Sequence, residues 1–257
     1  MRKIIFVLVA VSVIFVSSFS LAQEEGVRSA EKAFYRANLF YEAGDYQMAI
    51  EKWRSILAEG LESGNLYYNL ANAYFKKGEL GESILNYERA KRFMPRDSDL
   101  LLNLRHAKSL MKRPDPPEKK PILFKWLDMG MVYFTLKQSM ILAFLLYYLL
   151  AAYIIMTRVF KRYAMYSTIV IITLCLVLIM VIIPTHQKIK DLNRGAVITA
   201  KITDAKFEPL EDAAVHFPIY EGMKVHILRE KDDWYKIKRP DGKIGWVQGE
   251  NLGKMTP

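Results

Sequence analysis

Two stretches of this 257-residue chain, Ser139–Thr157 and Met165–Ile183, each run for 19 residues without an Asp, Glu, Lys, Arg or His. An apolar run of about 20 residues matches the hydrocarbon thickness of a bilayer. Lipid offers the backbone no hydrogen bonds, so such a run must satisfy its own as a helix. The predicted organisation is therefore two transmembrane helices at 139–157 and 165–184, a short loop at 158–164, and soluble parts on either flank. A soluble enzyme with one core is excluded. Uncharged spans mark neither a proton relay nor an ion path. The only cysteine, Cys175, lies inside the second span, so one chain cannot build a disulfide, a thiol-pair redox motif or a multi-cysteine zinc site.

The start of the chain sets the topology. Arg2 and Lys3 precede an apolar core, Ile4–Val16, and Ser20-Leu21-Ala22 stands before Gln23, the layout of a secretory signal peptide over 1–22. The alternative, an uncleaved N-terminal anchor, leaves the next domain on the same side. Residues 23–138 are then translocated, the chain returns through the first span, and Arg158, Lys161 and Arg162 lie in the cytoplasmic loop. Both soluble parts are then expected to face outward from the membrane. Lys188, Lys190 and Arg194 follow the second span as closely as the loop charges crowd the first, so the signal peptide decides orientation rather than the positive-inside bias. Tyr147, Tyr148, Tyr153, Tyr163 and Tyr166 are expected as interfacial anchors, with Leu123–Leu127 and Met131–Phe134 resting on the outer leaflet.

The net charge of +10 spreads along the chain. Residues 23–113 carry 15 basic and 13 acidic side chains, and no folded segment is strongly basic. Nucleic-acid binding requires a basic face, and no nucleic-acid partner is expected.

Residues 30–113 repeat with a period of 34. Ala37 aligns with Ala71, Asn38 with Asn72, Phe40 with Tyr74, Gly44 with Gly78, Ile50 with Ile84 and Trp53 with Tyr87. Small residues where helices touch, aromatics that fill between them and Gly at the turn resemble the tetratricopeptide pattern. The resemblance implies an all-α repeat domain with units at about 30–63 and 64–97 and a capping helix at 98–113. Such arrays usually need about three units, so a partner or self-association into a homo-oligomer would stabilise this one.

By register with that family, the first helix of each unit presents Phe34, Asn38, Tyr41, Asn65, Tyr68, Asn69, Asn72, Phe75, Asn103 and His106 on a concave, partner-binding groove. Asparagine can bond both the N–H and the C=O of an extended peptide, and aromatic rings add rigid apolar area. The alternative is that several asparagines bond their own turns and the rings pack between helices. A basic clamp for a carboxylate-ended ligand is poorly matched, because Phe34 stands where a lysine would.

Four prolines in eight residues, Pro114 to Pro121, stop the helices and predict a stiff spacer within the linking segment 114–138. After the second span, runs of β-branched and aromatic residues at Val197–Ile202, Val215–Ile219, Lys224–Leu228, Trp234–Lys238 and Ile244–Val247 predict five short strands. Pro240-Asp241-Gly242-Lys243 is a hairpin turn. The order Glu221-Gly222, Val225, Asp233-Trp234-Tyr235-Lys236-Ile237, Asp241-Gly242, Gly245-Trp246-Val247 resembles bacterial SH3-like domains over about 195–254, which implies an all-β barrel. Tyr220, Trp234 and Tyr235 are its candidate ligand surface, and cell wall is a candidate partner.

His106, His186, His216 and His226 show no metal-ligand spacing. Phosphate-loop and nucleophile-elbow motifs are absent. A non-enzyme with no catalytic residues, no metal and no cofactor is expected. The order of parts, together with Leu66-Tyr67-Tyr68-Asn69-Leu70-Ala71-Asn72-Ala73-Tyr74, resembles the BatE proteins of the Bacteroides aerotolerance system. That resemblance implies a membrane component working with von Willebrand A-domain membrane proteins and a MoxR-type AAA+ ATPase in tolerance of oxygen or envelope stress. The residues alone imply a membrane scaffold holding two linked binding modules; the competing class is a peptidoglycan-binding sensor or accessory that recruits cell-wall enzymes.

Overall fold

The computed structural model describes residues 29–116, 130, 133–159 and 167–256. The expected signal peptide, the later part of the proline spacer, the Leu123–Leu127 stretch and most of the cytoplasmic loop lie outside the described residues.

The N-terminal part is helical: α1 (29–42), α2 (Tyr46–Ala58), α3 (Gly64–Lys76), α4 (Leu80–Phe93) and α5 (Ser98–Ser109). The 34-residue period reappears as geometry. The starts of α2 and α4 lie 34 apart, as do those of α3 and α5. Ser63 and Asp97, also 34 apart, cap α3 and α5 by accepting from the amides of Leu66 and Leu100; this satisfies amides that a helix start leaves unpaired. Gly44 and Gly78 take φ of +81° and +76° after α1 and α3. The same bonds close both turns: Gly44 to Tyr41 and Asp45 to Phe40, then Gly78 to Phe75 and Glu79 to Tyr74. A residue with a Cβ pays for left-handed backbone of this kind, which is why Gly ends both helices. The last helix stops at Ser109, earlier than the expected 113.

The apolar helices are α6 (Leu136–Val159) and α7 (Ser167–Arg194), packed against each other. Both are long and apolar enough to cross a membrane. The expected end of the second span near residue 184 is not the end of its helix: α7 passes Pro184 and continues to Arg194. Proline removes one backbone donor, yet on the next residue Thr185 Oγ1 donates to the Val181 carbonyl at 2.7 Å, so the neighbouring turn stays bonded. Gly195 ends the helix, where a Cβ would strike the Asp191 carbonyl.

The C-terminal part is one antiparallel sheet of seven strands in the order β3-β2-β6-β5-β4-β1-β7. The strands are β1 (Gly195–Ile198), β2 (Ile202–Lys206), β3 (Val215–Tyr220), β4 (Lys224–Lys231), β5 (Trp234–Lys238), β6 (Ile244–Gln248) and β7 (Leu252–Lys254). Bulges at Ala205/Lys206 and Ile227/Arg229 increase the local twist and curl the sheet. The expected first strand, Val197–Ile202, is two strands. The amides of Thr199 and Ala200 turn away to the Asn251 carbonyl, and Ile202 opens β2 instead. Gly242 at φ +96° closes the predicted hairpin.

The two soluble parts do not stand apart as linked modules. A single buried cluster runs from Trp53, Tyr67, Leu70 and Leu100 through Ile84 and Leu85 to Ile198, Ile219, Val225 and Ile237. Helix α4 is the shared wall. It packs on α3 and α5 and also on β1 and β7, so Gly81, Ile84, Leu85, Glu88 and Ala90 are all buried. Glycines permit the close approach. A Cβ on Gly81 would lie 2.7 Å from Thr199 Cα, one on Gly222 would lie 2.6 Å from Ile84 Cδ1, and one on Gly253 would overlap Leu85 Cδ2. Arg89 and Arg92 close the seam by donating to the carbonyls of Lys254 at 2.6 Å and Met255 at 2.8 Å.

Candidate functional site

The groove predicted from the repeat lies across α1, α3 and α5. Four of its asparagines, Asn38, Asn69, Asn72 and Asn103, bond between helices rather than to their own turns. Asn69 Nδ2 donates to Asn38 Oδ1 at 3.1 Å, and Asn103 Nδ2 approaches Asn72 Oδ1 at 3.5 Å. Both contacts join residues 31 apart, so the repeat builds one contact twice. Asn103 also donates to the Tyr68 hydroxyl at 2.8 Å, and the Tyr87 hydroxyl donates to Asn72 Oδ1 at 2.5 Å. Burial pushes the Tyr87 phenol far above its ordinary value.

The aromatic residues split between core and opening. Phe34 and Tyr41 lean on Trp53 at ring separations of 6.4 and 6.0 Å, and Tyr68 leans on Tyr87 at 6.0 Å. Phe75 meets His106 at 5.5 Å. A cavity of about 260 Å³ opens between Tyr41, Asn72, Phe75, Asn103 and His106, and its lining comes entirely from the helices. The structure therefore brings together Asn38 with Asn69, and Tyr41, Asn72, Phe75, Asn103 and His106 around one opening, with Tyr68 bonded to Asn103 behind it. Asn65, exposed at the start of α3, does not line that cavity, and Phe34 packs inward. An asparagine offers two donors and two acceptor lone pairs, and the observed bonds use only part of that capacity. The remainder suits the backbone of an extended segment.

The three barrel candidates have different neighbours. Tyr220 lies beneath Lys112 and Arg113, at 5.6 and 5.5 Å from ring centre to charge. Trp234 meets Lys206, and Tyr235 meets Lys254 at 4.7 Å and donates to Glu230 at 3.0 Å. Tyr220 also borders a cleft of about 530 Å³ with Pro114, Pro116, Phe217 and Arg239. The start of the proline segment is thus docked on the barrel instead of leading freely away, and Asp115 accepts from the Lys224 amide at 3.1 Å.

Sequence reasoning missed the charged joint between the two parts. Glu88 of α4 is buried, with Lys108 of α5 at 2.5 Å and Lys224 of β4 at 3.7 Å. Burial alone would raise the Glu88 carboxyl, but Lys224 and Lys108, with Lys91 behind them, hold it well below the usual carboxylate range. Burial likewise disfavours the Lys108 ammonium, and Glu88 outweighs that and raises it. His226 of β4 meets Asp191 of α7 at 3.0 Å and ties the barrel to the end of the second apolar helix. Glu88 shares a face of α4 with Ile84, four residues before it, and no local signal shows that the barrel packs on that face.

Residues 208–253 match the bacterial SH3 domain family, over β3 to β7 and the loop before them. The match points to a protein- or peptidoglycan-binding module at the C-terminal end. Among curated proteins, none matches the chain.

Proposed function

We propose that this chain is a non-enzymatic, membrane-anchored scaffold of the tetratricopeptide class. It presents a peptide- or protein-binding groove and an SH3-like module on the outer side of a bacterial cytoplasmic membrane. The observation that carries the reading is the twice-built asparagine pair beside a cavity of about 260 Å³. The 34-residue spacing of helix starts, caps and glycine turns supports the repeat assignment. Helices α6 and α7 supply the anchor, and the barrel seated on α4 and on the end of α7 fixes the groove relative to the membrane.

The order of parts extends the proposal to a BatE-type complex with von Willebrand A-domain membrane proteins and a MoxR-type ATPase. The second reading, a peptidoglycan-binding sensor that recruits cell-wall enzymes, is favoured by the bacterial SH3 domain match. Affinity capture of the full chain from detergent-solubilised native membranes, beside a variant carrying Tyr68→Ala, Asn69→Ala and Asn72→Ala, separates them. Von Willebrand-domain proteins retained by the parent and lost from the folded variant support the scaffold. Recovery of wall enzymes or glycan irrespective of the triple change supports the second reading and defeats the first.

A further inference from the structure

We infer that the junction between the helical part, the barrel and the two spans is a binding site for one anionic phospholipid. A cavity of about 160 Å³ lies there. Four of its lining residues are cationic, Lys91, Arg92, Lys188 and Lys224, against two carboxylates, Glu88 and Asp191. Ion pairs run through this lining on both signs, Glu88 with Lys108 and Lys224, Asp191 with His226, and Arg92 with Glu62 at 3.4 Å, so the wall carries an excess of two positive charges, four cations against two carboxylates. The wall that remains is apolar: Phe134, Leu136 and Leu192.

Its height along the spans selects the ligand. Lys188 follows the last residue of the uncharged run, Ile183, by five positions, which is about 7.5 Å at a rise of 1.5 Å per residue. Leu136 opens α6 three positions before Ser139, about 4.5 Å. The polar layer of a bilayer is about 5–8 Å deep on each side, so both spans put the cavity at headgroup level. Lys188 and Arg96 fasten this level by donating to the carbonyls of Phe134 at 2.6 Å and Tyr133 at 2.9 Å. A cavity with cationic and apolar walls at that depth fits a phosphodiester headgroup whose acyl chains descend along α6 and α7. The fit holds for either leaflet.

The inference rests on the reading of α6 and α7 as membrane spans. The test is native mass spectrometry of the full chain in detergent, titrated with phosphatidylglycerol, phosphatidylcholine or inorganic phosphate. Three chains are compared: the parent, Lys91→Gln/Lys188→Gln, and Lys201→Gln/Lys238→Gln, which makes the same charge change at exposed barrel positions. Each cation near a lipid surface adds about fivefold in affinity. The parent and the barrel variant therefore retain one phosphatidylglycerol in preference to phosphatidylcholine, and the cavity variant, with an unchanged near-ultraviolet spectrum, binds it about twentyfold to thirtyfold more weakly. Equal retention of both lipids by the parent, equal losses in the two variants, or displacement of the lipid by inorganic phosphate alone would each overturn the lipid site. A chain that stays monodisperse without detergent and enters no vesicle contradicts the span reading itself, a different failure from equal uptake into both lipids.

Discussion

Leu85 and Gly253 form the most sensitive point of the seam between the helical part and the barrel. Leu85 is 2% exposed, and a Cβ placed on Gly253 would overlap its Cδ2. Leu85→Ala removes a fully buried side chain, and such changes cost about 2–5 kcal/mol. Gly253→Ala forces a methyl into occupied space, at about 1–3 kcal/mol. In the double variant the methyl introduced by Gly253→Ala enters the space that the Leu85 side chain vacated, so the overpacking cost disappears and part of the cavity is filled. The stability loss of the double variant is expected to be smaller than the sum of the two single losses by at least about 1 kcal/mol. The assay is denaturant unfolding of the four full-length chains in one detergent, followed by tryptophan fluorescence. Strictly additive losses, within about 0.5 kcal/mol, are the signature of sites without contact; that result refutes the packing of α4 on β7.

Glu88 supplies a pH-dependent contribution of definite sign. Its folded pKa lies below the unfolded value of about 4.3, so the stabilisation is fully present above that pH and is lost as pH falls through the folded value. Glu88→Gln should be destabilised at pH 7 and show a shallower acid decline than the parent in unfolding scans from pH 7 to 3. Within the groove, Asn72→Ala leaves the Tyr87 hydroxyl without its acceptor and should cost about 1–3 kcal/mol. Asn65→Ala, at an exposed position, should stay within about 0.5 kcal/mol in the same assay. Tyr67 is pushed up to about 12 by burial and by its bond to Glu62, so ultraviolet titration should show its phenolate missing at pH 11, and Glu62→Gln should bring it down.

The repeat was legible because its signals are local. Gly44 and Gly78 punctuate two turns of identical bonding, Ser63 and Asp97 cap two helices, and each can be read within a few residues of its own helix. Asn38, Asn69, Asn72 and Asn103 were legible as a face, since one side of alternate helices must carry them, but their bonding to one another depends on helix spacing. The barrel strands at Lys224–Leu228, Trp234–Lys238 and Ile244–Val247 followed from alternation and turn chemistry. Strand β2 did not, because Asp204-Ala205-Lys206 has no strand composition and is held by pairing with β3. Pro184 reads as a stop, yet α7 carries it and reaches the barrel. The seam was least legible of all. Gly81, Gly222 and Gly253 read as turn or weak-helix residues, and Glu88, Lys108 and Lys224 as solvated charge, because the partner that gives each its meaning lies more than a hundred positions away or in another element.

Native-state hydrogen exchange of the full chain in detergent, with and without Leu85→Ala, tests most directly whether the groove is carried by a body fused to the barrel. A single cooperative unit predicts that amides of α3 and α4 and those of β1, β4 and β7 lose protection together, by the same factor. Faster exchange confined to the helices, with β1, β4 and β7 at parental rates, would show two independent modules and contradict the account.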